Sequence, residues 1–531
     1  MMRFKVHTGG GLLCWFVCAI ALSCALPAPV HATPSGKDVG RVADLIEALQ
    51  LTEANKLLSE LEASFPETAP IMFQRALLTF YAGDYAAAVD IADRAIAQIG
   101  EAQAPKSWLA TRDLVASTLE ATRNYQHEVS PDGRYHIAYP SGEERVLLPY
   151  AFDVLASMDR VLRNVVGAPV PGPIRLEIYP SASALAQVST LTLEQIETSG
   201  TVALCKWNRL MITSPRALVR GYPWVDTIAH ELTHLYLSFA TQERAPVWLQ
   251  EGTAKLLERR WRDPAAAFEL DPTSRTLLLR ATRDGKLLTF DQLHPSIALL
   301  PSQDDATLAF AQVSTFMNTF VTTHGERALR DAFSQIGHGA DARDALGRAA
   351  SARFAELERT WKAALPKAVP ANAPRKLARR FRSGSSDTPD ESQDVAVSEA
   401  RRFLRIGDLL WSRQHPRSAM LEYEKAQRAD ADDPIVAARL ARSALEAGDP
   451  ARSVAALDPL LSRYPEHAPT HAVRGAALHE LGRLPEARSA LLEAVRINPF
   501  DPDPHCRLSR IVEEPDAAAT EQRACNTLSG R

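Results

Sequence analysis

From residue 401 onward the chain repeats itself with a period of 34. Ala419, Ser453 and Ala487 stand 34 apart, as do Gly448 and Gly482, and the strings DDP, EHAP and NPFDP close successive units. A period of this length is one pair of antiparallel helices, and neither helix of such a pair can bury its apolar face alone. The units must stack, and a stack leaves a concave groove. That groove is either a peptide- or protein-binding surface or the inner side of a spacer or oligomerisation module.

Residues 38–128 also read as helical. RALLTFYAGDYAAAVDIADRAIAQ has small residues where two helices would cross, with Gly83-Asp84 at the turn, and the stretch beginning at Leu45 is a poorer copy. The character changes at about residue 129. RYHIAYP and PIRLEIYP alternate like strands, and the helical stretch between them stops at Gly167. Residues 200–213 read as a hairpin or a long edge strand, with Trp207-Asn208-Arg209 near its turn. Helices then follow up to about 365. Residues 366–400 are rich in Pro, Ser and charge and read as a linker, with the basic run Arg375 to Arg382 as a solvated connector. Both flanking regions, 38–128 and 401–531, resemble tetratricopeptide (TPR) repeats, about three units plus a capping helix in the second. The expected fold is mostly α, with a central α+β region over 129–365 between α-solenoid segments.

The N-terminus has the layout of an export signal. Arg3 and Lys5 precede the apolar stretch LLCWFVCAIALSCAL, and VHA ends at Ala32 with compact residues at the cleavage-reading positions. The apolar stretch is short for a membrane span, although an uncleaved anchor is the competing reading. A lipid anchor at Cys24, after ALS, is poorly matched. Cleavage of 1–32 would leave a periplasmic or secreted protein without a stable membrane span. The formal charge of −4 without a dense basic run excludes nucleic acid as an expected partner. Of six cysteines, Cys14, Cys18 and Cys24 lie in the signal. Cys506 and Cys525 fall on facing positions of a terminal helical hairpin, where an exported compartment permits a disulfide; two unpaired buried thiols are the alternative. Cys205 would then be single.

The stretch TIAHELTHLYL, Thr227 to Leu237, carries the chemistry. On a helix from Trp224 to Ala240, Val225, Ile228, Leu232, Leu235 and Phe239 share one apolar face. His230 and His234 fall on nearly the opposite side, one turn apart, where both imidazoles can reach one ion. Glu231 points between the faces, placed to hold a water rather than to be a third ligand. A third ligand is offered by Glu251 in APVWLQEGTAKLLERRW, a second helix started by Pro246. Trp248 and Leu249 can pack that helix on the first, and Gly252 permits close approach. Two imidazoles and a carboxylate leave a fourth position open, as a catalytic zinc needs. Asp226, four before His230, is either an acid that orients it or a plain helix N-terminal acid.

HELTH followed by WLQEGTA resembles the gluzincin metallopeptidases, in the layout of peptidase MA-like bacterial proteins that carry tetratricopeptide repeats. The resemblance covers about 129–365. It implies that His230, His234 and Glu251 bind Zn²⁺ and that Glu231 is the general base of an exported peptidase. A peptide substrate would pair with an edge strand within 200–213. The interval from HELTH to Glu251 is slightly shorter than in the aminopeptidase branch. Phe310 stands where relatives often show a Tyr that donates to the oxyanion; Tyr222, His324 and His338 are the remaining candidates for that role. The competing reading is a repeat scaffold of the cell envelope with a weak or inactive peptidase-like domain. No G-x-S-x-G, P-loop or dinucleotide glycine pattern supports a serine hydrolase, NTPase or dehydrogenase.

Overall fold

The computed structural model describes residues 35–293, 296–365, 374, 375, 377–382 and 391–530. The signal read at 1–32 lies outside them, as does most of 366–390. The chain opens with α1 (Gly36–Glu47), α2 (Leu51–Ser64), α3 (Ala69–Ala82), α4 (Tyr85–Ile99) and α5 (Lys106–Thr122). A mixed region follows: β1 (Tyr125–Val129), β2 (Tyr135–Pro140), α6 (Leu148–Val165), β3 (Ile174–Tyr179), α7 (Ala182–Gln187), α8 (Leu193–Ser199), β4 (Ala203–Lys206) and β5 (Arg209–Thr213). Then come α9 (Trp224–Thr241), α10 (Val247–Leu257), α11 (Pro272–Arg283), α12 (Gln303–Gly337), α13 (Ala342–Ala349) and α14 (Phe354–Ala364). The repeats are α15 (Ser398–Ser412), α16 (Pro416–Ala429), α17 (Pro434–Glu446), α18 (Pro450–Leu461), α19 (Ala468–Glu480), α20 (Leu484–Ile497), α21 (Pro502–Ile511) and α22 (Pro515–Leu528). The fold is mostly α around one small sheet. No helix among the described residues is long and apolar enough to cross a membrane.

The sheet order is β1-β2-β3-β5-β4. β2, β3 and β5 run parallel, while β1 and β4 are antiparallel edges. β1 starts at Tyr125, inside the stretch that the sequence suggested was helical. It is short and largely exposed, so no alternation marks it. The β4–β5 hairpin turns at Trp207 and Asn208, both at positive φ (54° and 58°), the conformation of the tight turn whose twist matches its strands. Alternation along the central strands sends Leu210 and Ile212 to one side and Met211 to the other. On the first side lie α6 and α9, whose Ile228, Leu232 and Leu235 are at most 1% exposed. Each such residue contributes about 1.5–3 kcal/mol. This burial fixes the α9 face that carries no histidine.

The N-terminal helices dock through a buried polar contact. Gly83 (φ 90°) ends α3 and the Asp84 side chain accepts from the Ala87 N–H at the start of α4, as the turn residues suggested. Tyr85 then donates to Glu177 of β3 and accepts from the fully buried Arg209 of β5.

Two later segments close on the central region. Phe381 pairs with Leu218, Val219 N–H donates to the Arg380 carbonyl at 3.0 Å, and Arg382 N–H to that of Ala217 at 2.9 Å. Residues 377–382 are therefore an ordered strap, not the solvated connector their charge suggested. The backbone after β5 needed a partner, which composition does not reveal. The repeats seat on the start of α9: Trp224 Nε1 donates to the Val495 carbonyl at 3.2 Å and Tyr222 N–H to that of Ile497 at 3.0 Å. Gly221 makes this approach possible, since a Cβ there would lie 2.2 Å from the Ile497 oxygen.

Within the repeats, Ala419, Ser453 and Ala487 are fully buried, and Gly448 and Gly482 (φ 85° and 72°) end the first helix of their pairs. The 34-residue spacing is thus the recurrence of one crossing point and one left-handed cap. Cys506 and Cys525 form a disulfide between α21 and α22. Reducing it should destabilise that hairpin by about 3 kcal/mol, from the entropy of closing its loop; the denaturant midpoint of Cys525→Ser against wild type measures this.

His467, between α18 and α19, is 1% exposed, and burial together with Arg220 and Arg439 pushes its pKa well below the usual range. The unfolded chain protonates this histidine below about pH 6.5 while the folded chain does not, so stability falls with pH through that point. His467→Gln should remove about 1 kcal/mol of the loss between about pH 7.5 and 5.5, read from denaturant midpoints.

Candidate metal centre

Residues of α9 and α10, with the one that follows α10, define the site. The apolar stripe of α9 is pinned on the sheet, which turns His230 and His234 toward a cavity of about 420 Å³. Their rings lie 4.8 Å apart at 70°. Pro246 caps α10, and Glu251 enters from its second turn. His230 Nε2 is 3.1 Å and His234 Nε2 is 3.3 Å from one oxygen of Glu251. Ligand atoms of all three residues lie within 4.8 Å of one another, so this donor set can take one metal ion.

α10 is held differently from the sequence expectation. Gly252 lets α12 approach. A Cβ there would stand 2.7 Å from both the Val313 carbonyl oxygen and Met317 Cγ. Leu249 is fully buried, but Trp248 packs into an aromatic cluster with Phe290, Phe316 and Phe354, centroids 4.9–6.1 Å away. Each such pair adds about 0.5–1.5 kcal/mol beyond area burial. Two restraints thus fix the rotation of α10 and aim Glu251.

The group that orients His230 is Glu258, just past the end of α10. Its carboxylate is 3.2 Å from His230 Nδ1 and 2.6 Å from Lys255 Nζ. Asp226 does not play this part: it accepts from Trp261 Nε1 at 2.8 Å and from Arg262. The orienting acid follows α10 and does not stand on the histidine helix, where Asp226 lies. The available signal was Glu258 seven residues after Glu251, two turns on along the same face as α10 ends.

The electrostatics fit a cation site. Burial opposes charge on His230, yet hydrogen bonds with Glu251 and Glu258 outweigh it and push its pKa up to about 10. Burial also opposes charge on Glu258, but Lys255 and His230 bring it down to about 2. Glu251 falls well below the carboxylate range, because His234 and His230 outweigh its burial. Glu231 moves the other way: burial raises it, and neighbouring Glu251 adds to the rise against the pull of the histidines. Its side chain is 5% exposed, lines the cavity and makes no hydrogen bond among the described residues.

The outer edge of β4 borders the same cavity, with Cys205 half-buried there and its thiol pushed well above its usual pKa by burial and Glu231. Phe310 lies edge-on to His230, ring centroids 6.2 Å apart, and its ring carries no hydroxyl to donate. Tyr222 reaches the cavity, but its hydroxyl is spent on the Thr213 carbonyl. His324 lies tilted against Phe320 and His338 bonds to the Ser334 carbonyl; neither lines the cavity.

Residues 156–367 match the Peptidase MA superfamily, and residues 438–502 match a tetratricopeptide repeat. No curated protein matches the chain. Among solved structures it is similar to a thermophilic TPR protein of Thermus thermophilus, at 23% identity over 25% of this chain and 75% of that one, TM-score 0.23. It is similar to the first TPR domain of human RPAP3 at 18% identity over 24% and 96%, TM-score 0.21. Yeast LTA4 hydrolase in complex with Bestatin aligns at 12% identity over 75% and 67%, TM-score 0.30. The chain therefore carries a Peptidase MA superfamily domain joined to tetratricopeptide repeats.

Proposed function

We propose that the protein is an exported zinc-dependent peptidase of gluzincin type, with repeats that bind protein partners or substrate. The observation that carries this reading is the convergence of His230, His234 and Glu251 beside an unbonded buried carboxylate, Glu231. Two imidazoles and one carboxylate, without a nearby thiolate pair, are the donors of a catalytic rather than a structural zinc site. A zinc ion held there would lower the pKa of a bound water toward neutrality and polarise a carbonyl oxygen.

The chain's own residues supply the rest. Glu231, raised by burial, is poised to accept a proton on a carboxylate oxygen and to return it to the leaving amine. Glu258 holds His230 by Nδ1 and so leaves Nε2 directed at the centre. β4 pairs with β5 on one side only, and its free edge can hydrogen-bond an extended peptide backbone. The cavity wall at Phe310 offers no oxyanion donor, which favours the second reading, a scaffold whose peptidase-like domain is slow or inert.

The two readings separate in one comparison. Zinc-loaded wild type should cleave a peptide library, and Glu231→Gln should keep its zinc but lose at least about a hundredfold in rate. Zinc bound by both with hydrolysis by neither would establish the scaffold. Glu258→Gln should weaken zinc binding by about tenfold to a hundredfold, measured by competition with a chelating dye; unchanged affinity would remove Glu258 from the centre.

A further inference from the structure

Asp226 and His230 stand four residues apart on α9 and so share a face of that helix. Glu258 and Arg262 also stand four apart, at the two ends of the turn that follows α10. Two rungs therefore join the helix to the turn. In one, the Glu258 carboxylate is 3.2 Å from His230 Nδ1. In the other, one helical turn earlier, Arg262 grips Asp226. We propose that Asp226, Arg262 and Glu493 are positioning residues of the metal centre. They hold the turn 258–262 against α9 so that Glu258 stays on His230, and Glu493 is contributed by the repeats. The proposal rests on the metal-centre reading above.

The Asp226 side chain is buried, and a buried carboxylate is costly unless it is paired. The turn supplies the partners. Arg262 donates to both oxygens, from Nε to Oδ1 at 3.1 Å and from Nη2 to Oδ2 at 2.8 Å. Trp261 Nε1 donates to Oδ1 at 2.8 Å. A two-point pair between guanidinium and carboxylate fixes orientation as well as distance. The remaining nitrogen of Arg262, Nη1, donates to Glu493 Oε1 of α20 at 2.8 Å. Arg496 of the same helix donates to that oxygen at 2.5 Å. The guanidinium carbons of Arg262 and Arg496 lie 5.4 and 5.3 Å from the centre of a Trp261 ring.

The hold on Arg262 reaches Glu258 through a short, bonded backbone. Arg260 N–H donates to the Leu257 carbonyl at 2.9 Å and Arg262 N–H to that of Arg259 at 3.2 Å. Arg260 also pairs with Glu326 of α12, so loss of the Asp226 rung loosens the turn without freeing it. What loosens is the acid behind His230. Groups that orient a metal-binding histidine in this way set its affinity for the ion. None of the three residues touches the ion's ligand atoms, so each acts through Glu258.

The test is a double-mutant cycle on the full chain, with zinc affinity read by competition against a chelating dye. Asp226→Asn should weaken zinc about tenfold, as loss of outer support does. Glu493→Gln, at a half-buried site, should weaken it about threefold, the worth of one partly exposed charge pair. Glu258→Ala removes the group being positioned. In that background both substitutions should have no further effect on zinc, although each alone does. Wild-type affinity in Asp226→Asn and Glu493→Gln overturns the proposal and leaves the metal centre standing. So does weakening that multiplies with that of Glu258→Ala, the result expected of general loosening. Should Asp226→Asn fail to fold, the pair of Glu493→Gln and Glu258→Ala makes the same comparison. Absence of zinc binding by the wild type overturns the metal centre and the proposal together.

Discussion

The site depends on how closely α10 can approach α12. A carboxylate reaches two histidines on another helix only if its own helix is held at one rotation. Gly252 sets that rotation by letting the α12 backbone come where any side chain would collide. The aromatic cluster around Trp248 locks it from the other side. With α9 pinned by its buried stripe and by Trp224 against α20, neither helix can turn. Glu251 of α10 and Glu258 just past its end then meet the histidines, the first near both rings and the second behind His230.

Much of this is legible in the sequence because it is periodic. The strands at 135–140 and 174–179, the hairpin turn at Trp207-Asn208 and the helix through His230 and His234 each follow from local spacing. So does the 34-residue recurrence, which appears as buried small residues at helix crossings. The less legible features depend on three-dimensional partners. Glu258 differs from other helical acids only in what it faces. Gly252 is correctly marked as a contact point, yet the sequence cannot say which helix comes to it. The strap at 377–382 reads as a charged connector because its order comes from backbone pairing with residues 217–219, which no side-chain pattern encodes.

The repeats and the central region are also less separate than their sequences suggest. Trp224, the first residue of α9, and Tyr222 just before it hydrogen-bond to backbone carbonyls of the repeats, so the helix that carries both histidines begins on a solenoid surface. The strap, the turn at Glu466 and the edge of β4 line one cavity with His230, His234 and Glu251. A change in the stack would reach the histidines through Gly221 and Trp224.

The central claim is that one ion is held by His230, His234 and Glu251. Anomalous diffraction at the zinc edge, from crystals of the full chain grown with equimolar zinc, tests it most directly. The account predicts a single strong peak between those three side chains, and its loss in Glu251→Ala. A peak elsewhere, or none at full zinc occupancy in solution, would contradict it.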